Sequence, residues 1–348
     1  MKKSLTARFS SARVRAVAPL ALALLMSLPS GALTAQETHL ITIVGLGGGP
    51  EYTETFFGWG SAITNAARDR YGISAGNSIL LSEDEGDPAP SSGEARREAV
   101  QAAIRGVAAR AGALDRVLIV LIGHGSFRDE EARFNIPGPD LTAADWSNLL
   151  DELGGRHVAV VNAASASGPF IQQLAGPNRT IIAATRTGRQ RNETVFGRYF
   201  VEAFAGDAAD LDKDGGMSLL EAFTYATSEV ARFYEEGNLL QVENAVLDDN
   251  GDGEGSTEPA IDGEDGSMAA SFIFLPLQVL EMTPEMQADS VLGRLMGERA
   301  ALERQVAQLR SRRAEMDPET YDLQVEDLLV ELALKSREVE ARRGGGGG

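Results

Sequence analysis

Residues 117–126 read Val-Leu-Ile-Val-Leu-Ile-Gly-His-Gly-Ser and give the clearest indication of the fold class. Six consecutive apolar residues followed by glycine indicate a short strand that is buried on both faces of a sheet. Similar apolar runs occur at residues 40–44, 79–81, 158–161 and 180–184, and helical patterns separate them. Strands that alternate with helices predict an α/β fold, with a parallel sheet covered by helices on both faces.

The composition excludes several function classes. The chain has 348 residues, 51 acidic and 32 basic, and a formal net charge of −19. Because nucleic-acid-binding proteins usually carry a basic surface, we expect no nucleic-acid partner. The chain has no cysteine, which excludes disulfides, thiolate metal sites and cysteine nucleophiles. Imidazole chemistry is restricted to His39, His124 and His157, and the sequence gives no reason to assign a role to the first or the third.

The first 35 residues have the pattern of a secretory signal. Five basic residues precede an apolar run at residues 16–26, and Ala35, or alternatively Ala32, offers a small residue for cleavage. Cleavage would remove five positive charges and change the net charge from −19 to −24. We therefore expect an exported protein, periplasmic or extracellular, with an uncleaved membrane anchor as the alternative. No later stretch is long and apolar enough to predict a transmembrane helix.

The rest of the chain divides into an α/β domain at residues 36–276, a helical segment at residues 277–343 and a glycine tail at residues 344–348. Leucines recur at heptad spacing in the first part of the helical segment, and Asp317 with Pro318 predicts the start of a second helix. The heptad leucines are Leu295, Leu302 and Leu309, and the apolar seam of the second helix is Tyr321, Val325, Leu328, Leu332 and Val339. The pattern predicts a C-terminal helical hairpin or coiled coil, which either docks on its own domain or mediates self-association or binding of a protein partner.

A glycine-rich stretch at residues 45–50 follows the first strand. Pro50 stands where a dinucleotide-binding fingerprint places its third glycine, and we expect no helix start at this point. The stretch is therefore interpreted as a tight turn.

Two predicted strands end in residues that carry chemistry. The strand at residues 117–122 is followed by His124 and Gly125, and the strand at residues 158–161 leads to Ser165. The carboxyl ends of parallel strands meet at one edge of a sheet, where the active sites of α/β proteins lie. We expect the imidazole of His124 and the hydroxyl of Ser165 to lie side by side at this edge.

This order of motifs resembles the caspase-like cysteine peptidases, the legumain branch in particular. In that branch the second turn reads Glu-Ala-Cys-Glu-Ser-Gly, and residues 163–168 here read Ala-Ala-Ser-Ala-Ser-Gly. The resemblance covers residues 38–275 and implies a caspase-like fold. It also implies that His124 is the family's catalytic histidine, that the Gly125 amide is its oxyanion donor, and that Ser165 stands where the cysteine nucleophile belongs.

The serine at this position decides the functional expectation. A hydroxyl is far less acidic than a thiol and needs a closely held base that a third group orients, and no acidic residue at a suggestive spacing marks such a partner for His124. We expect a catalytically degenerate peptidase-like domain with a recognition or assembly role. The alternatives are a hydrolase that uses Ser165 and His124, with the Gly125 and Ser165 amides as oxyanion donors, and a structural calcium-binding envelope protein.

Residues 210–221 match the calcium loop of an EF-hand. Acidic residues stand at positions 1, 3, 5 and 12 of the loop, and Gly215 stands at position 6, where the loop turns sharply. The predicted Ca²⁺ ligands are Asp210, Asp212, Asp214, the carbonyl of Gly216, Ser218 directly or through water, and Glu221. The alternative is a solvated acidic turn that caps the following helix.

Residues 248–265 form a weaker second candidate for calcium. Asp248, Asn250 and Asp252 repeat the start of such a loop, but position 12 is Pro259, so the bidentate ligand is missing. Asp262 or Asp265 would have to complete the site, and a flexible acidic turn is the alternative.

Overall fold

The computed structural model describes residues 36–83, 92–277 and 317–344, together with isolated helical positions at 291, 295, 299, 302 and 309. The predicted signal segment at residues 1–35 lies outside the described residues, as do residues 345–348 of the glycine tail. All the described residues belong to one compact unit. No helix in the described part has the length and hydropathy needed to cross a membrane.

The described residues form strands and helices in alternation. The strands are β1 (Thr38–Val44), β2 (Ser78–Ser82), β3 (Ser92–Glu94), β4 (Arg116–Ile122), β5 (Gly125–Arg128), β6 (Glu131–Phe134), β7 (Leu141–Thr142), β8 (His157–Asn162), β9 (Arg179–Ala183), β10 (Met217–Ser218), β11 (Val246–Asp248) and β12 (Ile273–Phe274). The α-helices are α1 (Pro50–Asp69), α2 (Arg97–Arg110), α3 (Ala143–Asp151), α4 (Phe170–Leu174), α5 (Phe196–Ala205), α6 (Leu219–Glu236), α7 (Ser267–Ser271) and α8 (Pro318–Gly344).

Seven strands form the central sheet in the order β11-β9-β8-β4-β1-β2-β3. All neighbours are parallel except β11, which runs antiparallel to β9. The predicted α/β class with a mostly parallel sheet is therefore confirmed. The antiparallel edge strand was not predicted, because three residues are too few to show a period.

Helices cover both faces of the sheet, as the apolar strands require. On one face α1, α5, α6 and α7 pack over the sheet, with Phe56, Phe200 and Phe223 among the buried side chains. On the other face α2, α3 and α4 enclose a second core that contains Trp146 and Phe170. Every residue of β4 after Arg116 is at most 1% exposed, which places this strand at the centre of both cores.

Two small antiparallel sheets lie beside the central one. β5, β6 and β7 form a three-stranded sheet that begins directly after His124, and β10 pairs with β12. Neither sheet is predicted by the sequence, since their strands are two to four residues long.

The helix starts show where local sequence rules held. Thr142 caps α3 as local sequence rules favour, accepting a hydrogen bond from the Asp145 amide in a capping box. The expectation that no helix starts after residues 45–50 was wrong, because α1 begins at Pro50 with Gly49 as its N-cap. Proline is favoured in the first turn of a helix, where its missing N–H costs no hydrogen bond.

The C-terminal helix α8 begins at Pro318, where Asp317 and Pro318 predict a start. The Asp317 carboxylate accepts a hydrogen bond from the Thr320 amide at 3.1 Å. Val339 of the predicted seam is 1% exposed, and its other four members are half-buried. The loop and most of the first helix of the predicted hairpin lie outside the described residues.

Candidate functional site

The sheet brings His124 and Ser165 to one edge. β4 and β8 are neighbours, with Leu121 opposite Asn162 at their carboxyl ends, so the two following turns start side by side. His124 follows β4 and is half-buried, and Ser165 follows β8 and is 3% exposed. The predicted adjacency of these two strand ends is therefore present in the sheet.

The Ser165 hydroxyl is bonded to the backbone of Gly125. It donates to the Gly125 carbonyl at 3.2 Å and accepts from the Gly125 amide at 3.2 Å. The amide that the resemblance assigns to an oxyanion therefore already has an acceptor. A Cβ added at Gly125 would stand 2.2 Å from the Ser165 carbonyl oxygen, so only glycine permits this approach.

The His124 imidazole is also held by backbone and by aromatic rings. Its Nε2 lies 3.2 Å from the Gly47 carbonyl. Since a carbonyl can only accept, this bond requires the proton to be on Nε2. Tyr52 and Phe56 of α1 pack edge-on against the ring, at centroid distances of 5.3 and 5.2 Å. Within the described residues, neither ring nitrogen bonds the Ser165 hydroxyl and no carboxylate bonds the ring.

Glu83, for which the sequence pattern indicates no role, fixes the turn that holds His124. Its Oε2 accepts from the Gly47 amide at 2.9 Å and from the Thr53 hydroxyl at 2.8 Å. Glu83 thus connects the end of β2, the turn after β1 and the first turn of α1. It gave no recognisable signal, because a single glutamate after a strand is common on protein surfaces.

A loop at residues 185–191 closes over the turn that carries Ser165. The Gln190 carbonyl accepts from the Ala166 amide at 2.8 Å, and the Thr185 hydroxyl accepts from the Gly168 amide at 2.9 Å. Ala166 has φ 54°, a left-handed conformation that is uncommon for residues other than glycine. Ser165 is thus buried because its turn is covered by a loop that is hydrogen-bonded to it.

A cleft of about 770 Å³ borders this turn. Phe127, Ile171 and Gly168 line it together with Arg186 and Arg189 of the covering loop. Both arginines are exposed, and Glu130 and Glu254 also line the cleft, so its charge is mixed.

Asn162 is a buried polar residue at the same edge. It is 1% exposed, and its Oδ1 accepts from the Ala164 amide at 3.1 Å. Its Nδ2 has no hydrogen-bond partner among the described residues.

The loop at residues 210–221 gathers the predicted carboxylates. Oxygens of Asp210, Asp212 and Asp214 lie within 4.8 Å of one another. Burial, together with the negative charges of Glu221, Asp214 and Asp212, raises the pKa of Asp210 to about 6. One oxygen of Asp210 is buried without a hydrogen-bond partner in the described part of the chain. An all-oxygen donor set with an unpartnered carboxylate oxygen fits a hard cation such as Ca²⁺.

The backbone of this loop also has the expected turn. Gly215 has φ 93°, which only glycine adopts without strain, and the adjacent Gly216 lies against β12, where a Cβ would come 2.7 Å from Ile273. Ser218 is the N-cap of α6 in a capping box with Glu221. The Glu221 carboxylate accepts from the amides of Leu211 and Ser218, both at 2.8 Å. The helix before the loop, α5, ends at Ala205, earlier than an EF-hand requires.

The second acidic loop uses its carboxylates differently. Asp248 is 0% exposed and accepts from the amides of Gly251 and Gly253 at 2.9 and 2.6 Å. Asn250 and Asp252 are exposed, and each accepts from the amide two residues further on. Burial raises the pKa of Asp248. The loop has the contacts of a folded turn, in which Asn250 Nδ2 also donates to Asp252 at 3.1 Å.

The other two histidines lie away from this edge. His39 Nε2 bonds Asp115 at 3.3 Å, and His157 Nε2 bonds the Thr180 hydroxyl at 3.0 Å. Burial, with the positive charge of Arg116, lowers the pKa of His157 to about 4. Oxygens of Glu37 and Asp115 and a ring nitrogen of His39 lie within 4.8 Å of one another, a cluster at the amino ends of the strands that the sequence did not indicate.

A scan against protein-family models finds none that matches this chain, and no curated protein matches it in sequence.

Proposed function

We propose that the protein is an exported, caspase-like domain that has lost peptidase activity and serves recognition or envelope assembly. Two observations support the caspase-like assignment: a His-Gly motif and a small-residue Ser turn end adjacent parallel strands, and helices cover both sheet faces. Export is supported by the signal-like pattern of the first 35 residues.

The proposed loss of activity rests on the hydrogen bonds of the Ser165 and His124 side chains. A serine nucleophile needs the imidazole as an acceptor for its proton. Here the Ser165 hydroxyl bonds the Gly125 backbone, and the His124 Nε2 faces the Gly47 carbonyl. Each group is held by its own backbone contact, so the pair lacks the coupling that activates a hydroxyl.

A fluorophosphonate probe tests this proposal, because such a probe modifies activated serines and does not react with ordinary serines. We expect the intact mass of the purified protein to stay unchanged under conditions in which a known serine hydrolase is fully labelled. Adduct formation that disappears in Ser165→Ala would refute the proposal and favour the hydrolase alternative. The Ser165→Ala variant is the matched control, since it removes one oxygen at the same position.

We also propose that residues 210–221 bind Ca²⁺ and stabilise the domain. The convergence of three carboxylates and the unpartnered Asp210 oxygen support this. Glu221 can become a calcium ligand only by giving up the hydrogen bonds that it now accepts from backbone amides. We therefore expect a local rearrangement of the loop when Ca²⁺ binds. Calorimetry should detect Ca²⁺ binding to the unmodified protein, and the Asp212→Ala substitution should abolish it. The control is Asp69→Ala, which removes an exposed aspartate on α1 and should leave binding intact. Equal heats for all three proteins would dismiss the site.

A further inference from the structure

Helix α8 carries two apolar stripes on opposite sides. The first is the half-buried seam that ends in Val339. The second consists of Leu323, Val330 and Leu334, which are 65%, 54% and 55% exposed. At about 100° per residue these three side chains fall within about 40° of one another, roughly opposite the seam. This second stripe, called the outer stripe, has no covering element in the described part of the chain.

Charge is distributed unevenly along the same helix. Residues 317–331 contain six acidic and no basic residues, whereas residues 332–344 contain four basic and two acidic ones. Two exposed charged residues, Asp327 and Arg337, lie on the same side of the helix as the outer stripe. They occupy heptad positions of this side, Asp327 between the apolar residues and Arg337 after them. A parallel partner helix would place each of these charges against its own copy. An antiparallel partner would oppose the acidic half to the basic half.

We propose that the outer stripe binds a second copy of this chain, α8 against α8 in antiparallel orientation, centred near residue 332. In this register Val330 faces the partner's Leu334, and Asp327 faces the partner's Arg337. Every apolar residue near the centre meets an apolar one, and each charge on the stripe meets its opposite twice by symmetry. This self-association is independent of the proposal made for Ser165 and His124.

Single-cysteine variants test the orientation directly, because the chain has no native cysteine. In the antiparallel register the two copies of residue 330 are about 6 Å apart along the axis, and the two copies of residue 323 about 27 Å apart. With a short bifunctional thiol reagent, Val330→Cys should form a covalent dimer and Leu323→Cys should remain monomeric on a denaturing gel. Equal cross-linking of both variants would indicate a parallel pair and overturn the proposal.

Charge substitutions test the pairing by sedimentation equilibrium on the full chain. Arg337→Asp should weaken the dimer on the order of tenfold, since it replaces two attractive contacts by two repulsive ones. The exchanged variant Asp327→Arg/Arg337→Asp should recover the affinity, and Glu331→Arg, a quarter turn from the stripe, should leave it unchanged. All these positions are exposed, and circular dichroism checks that the helix persists. A protein that stays monomeric at all concentrations, or that binds lipid vesicles as a monomer through the outer stripe, would contradict the proposal.

Discussion

The Ser165→Ala substitution separates a structural hydroxyl from a catalytic one. The hydroxyl makes two hydrogen bonds to Gly125, both at 3.2 Å, and its residue is 3% exposed. A neutral hydrogen bond contributes about 0.5–1.5 kcal/mol net. The bonds are long and Gly125 is partly solvent-accessible, so we expect a loss of about 1–2 kcal/mol from the free energy of unfolding.

Urea unfolding followed by the fluorescence of Trp59 and Trp146 measures this loss. With a slope of about 3 kcal/mol/M for a domain of this size, the midpoint should fall by about half a molar. Ser74→Ala is the control, because Ser74 is exposed and its hydroxyl makes no hydrogen bond within the described residues. Removal of a catalytic nucleophile is often neutral or stabilising, since active sites sacrifice stability for function. An unchanged or raised midpoint for Ser165→Ala would therefore refute the structural role.

Three further perturbations have expected outcomes. Gly125→Ala should lower the free energy of unfolding by about 3 kcal/mol through overpacking, because the new Cβ would stand 2.2 Å from a carbonyl oxygen. The control is Gly155→Ala, whose Cβ meets nothing within 4 Å. Equal urea midpoints for the two variants would contradict the expectation. His157 has a pKa of about 4 against an ordinary 6.5, so the unfolded chain binds more protons between these values and stability should fall as pH drops from 6.5 to 4. The full linkage is about 3 kcal/mol and partial exposure reduces it to about 1–2 kcal/mol; a His157→Gln variant with an equally steep pH dependence would count against this. Calcium at about 10 mM should stabilise the protein by about 1.4–2.7 kcal/mol for a dissociation constant of about 0.1–1 mM, and the same gain in Asp212→Ala would exclude the first loop as its source.

The sequence was informative where a strand is buried on both faces. β4 and β8 were predicted within one residue at each end, because strands buried on both faces are continuous apolar runs. That the turn of His124 lies next to the turn of Ser165 could be predicted from the adjacency of the two strands alone. β5, β6 and β7 escaped prediction because strands of two to four residues have no measurable period and depend on contacts distant in sequence.

The bonding within the site could not be read from the sequence. Residue types place an imidazole and a hydroxyl at one edge, but hydrogen-bond partners depend on side-chain orientation and on neighbouring turns. The turn whose Gly47 carbonyl bonds His124 is itself held at the Gly47 amide by Glu83, which lies 36 residues from Gly47 in the chain. The left-handed Ala166 and the loop that covers it likewise arise from tertiary packing.

The tautomer of His124 shows whether its imidazole and the Ser165 hydroxyl are held by separate backbone groups. The chain has three histidines, so nitrogen NMR spectra of the uniformly labelled protein, with His124→Gln for assignment, resolve each neutral ring. We expect neutral His124 to carry its proton on Nε2, as the bond to the Gly47 carbonyl requires. A ring protonated on Nδ1, with Nε2 accepting a proton from the Ser165 hydroxyl, would contradict it.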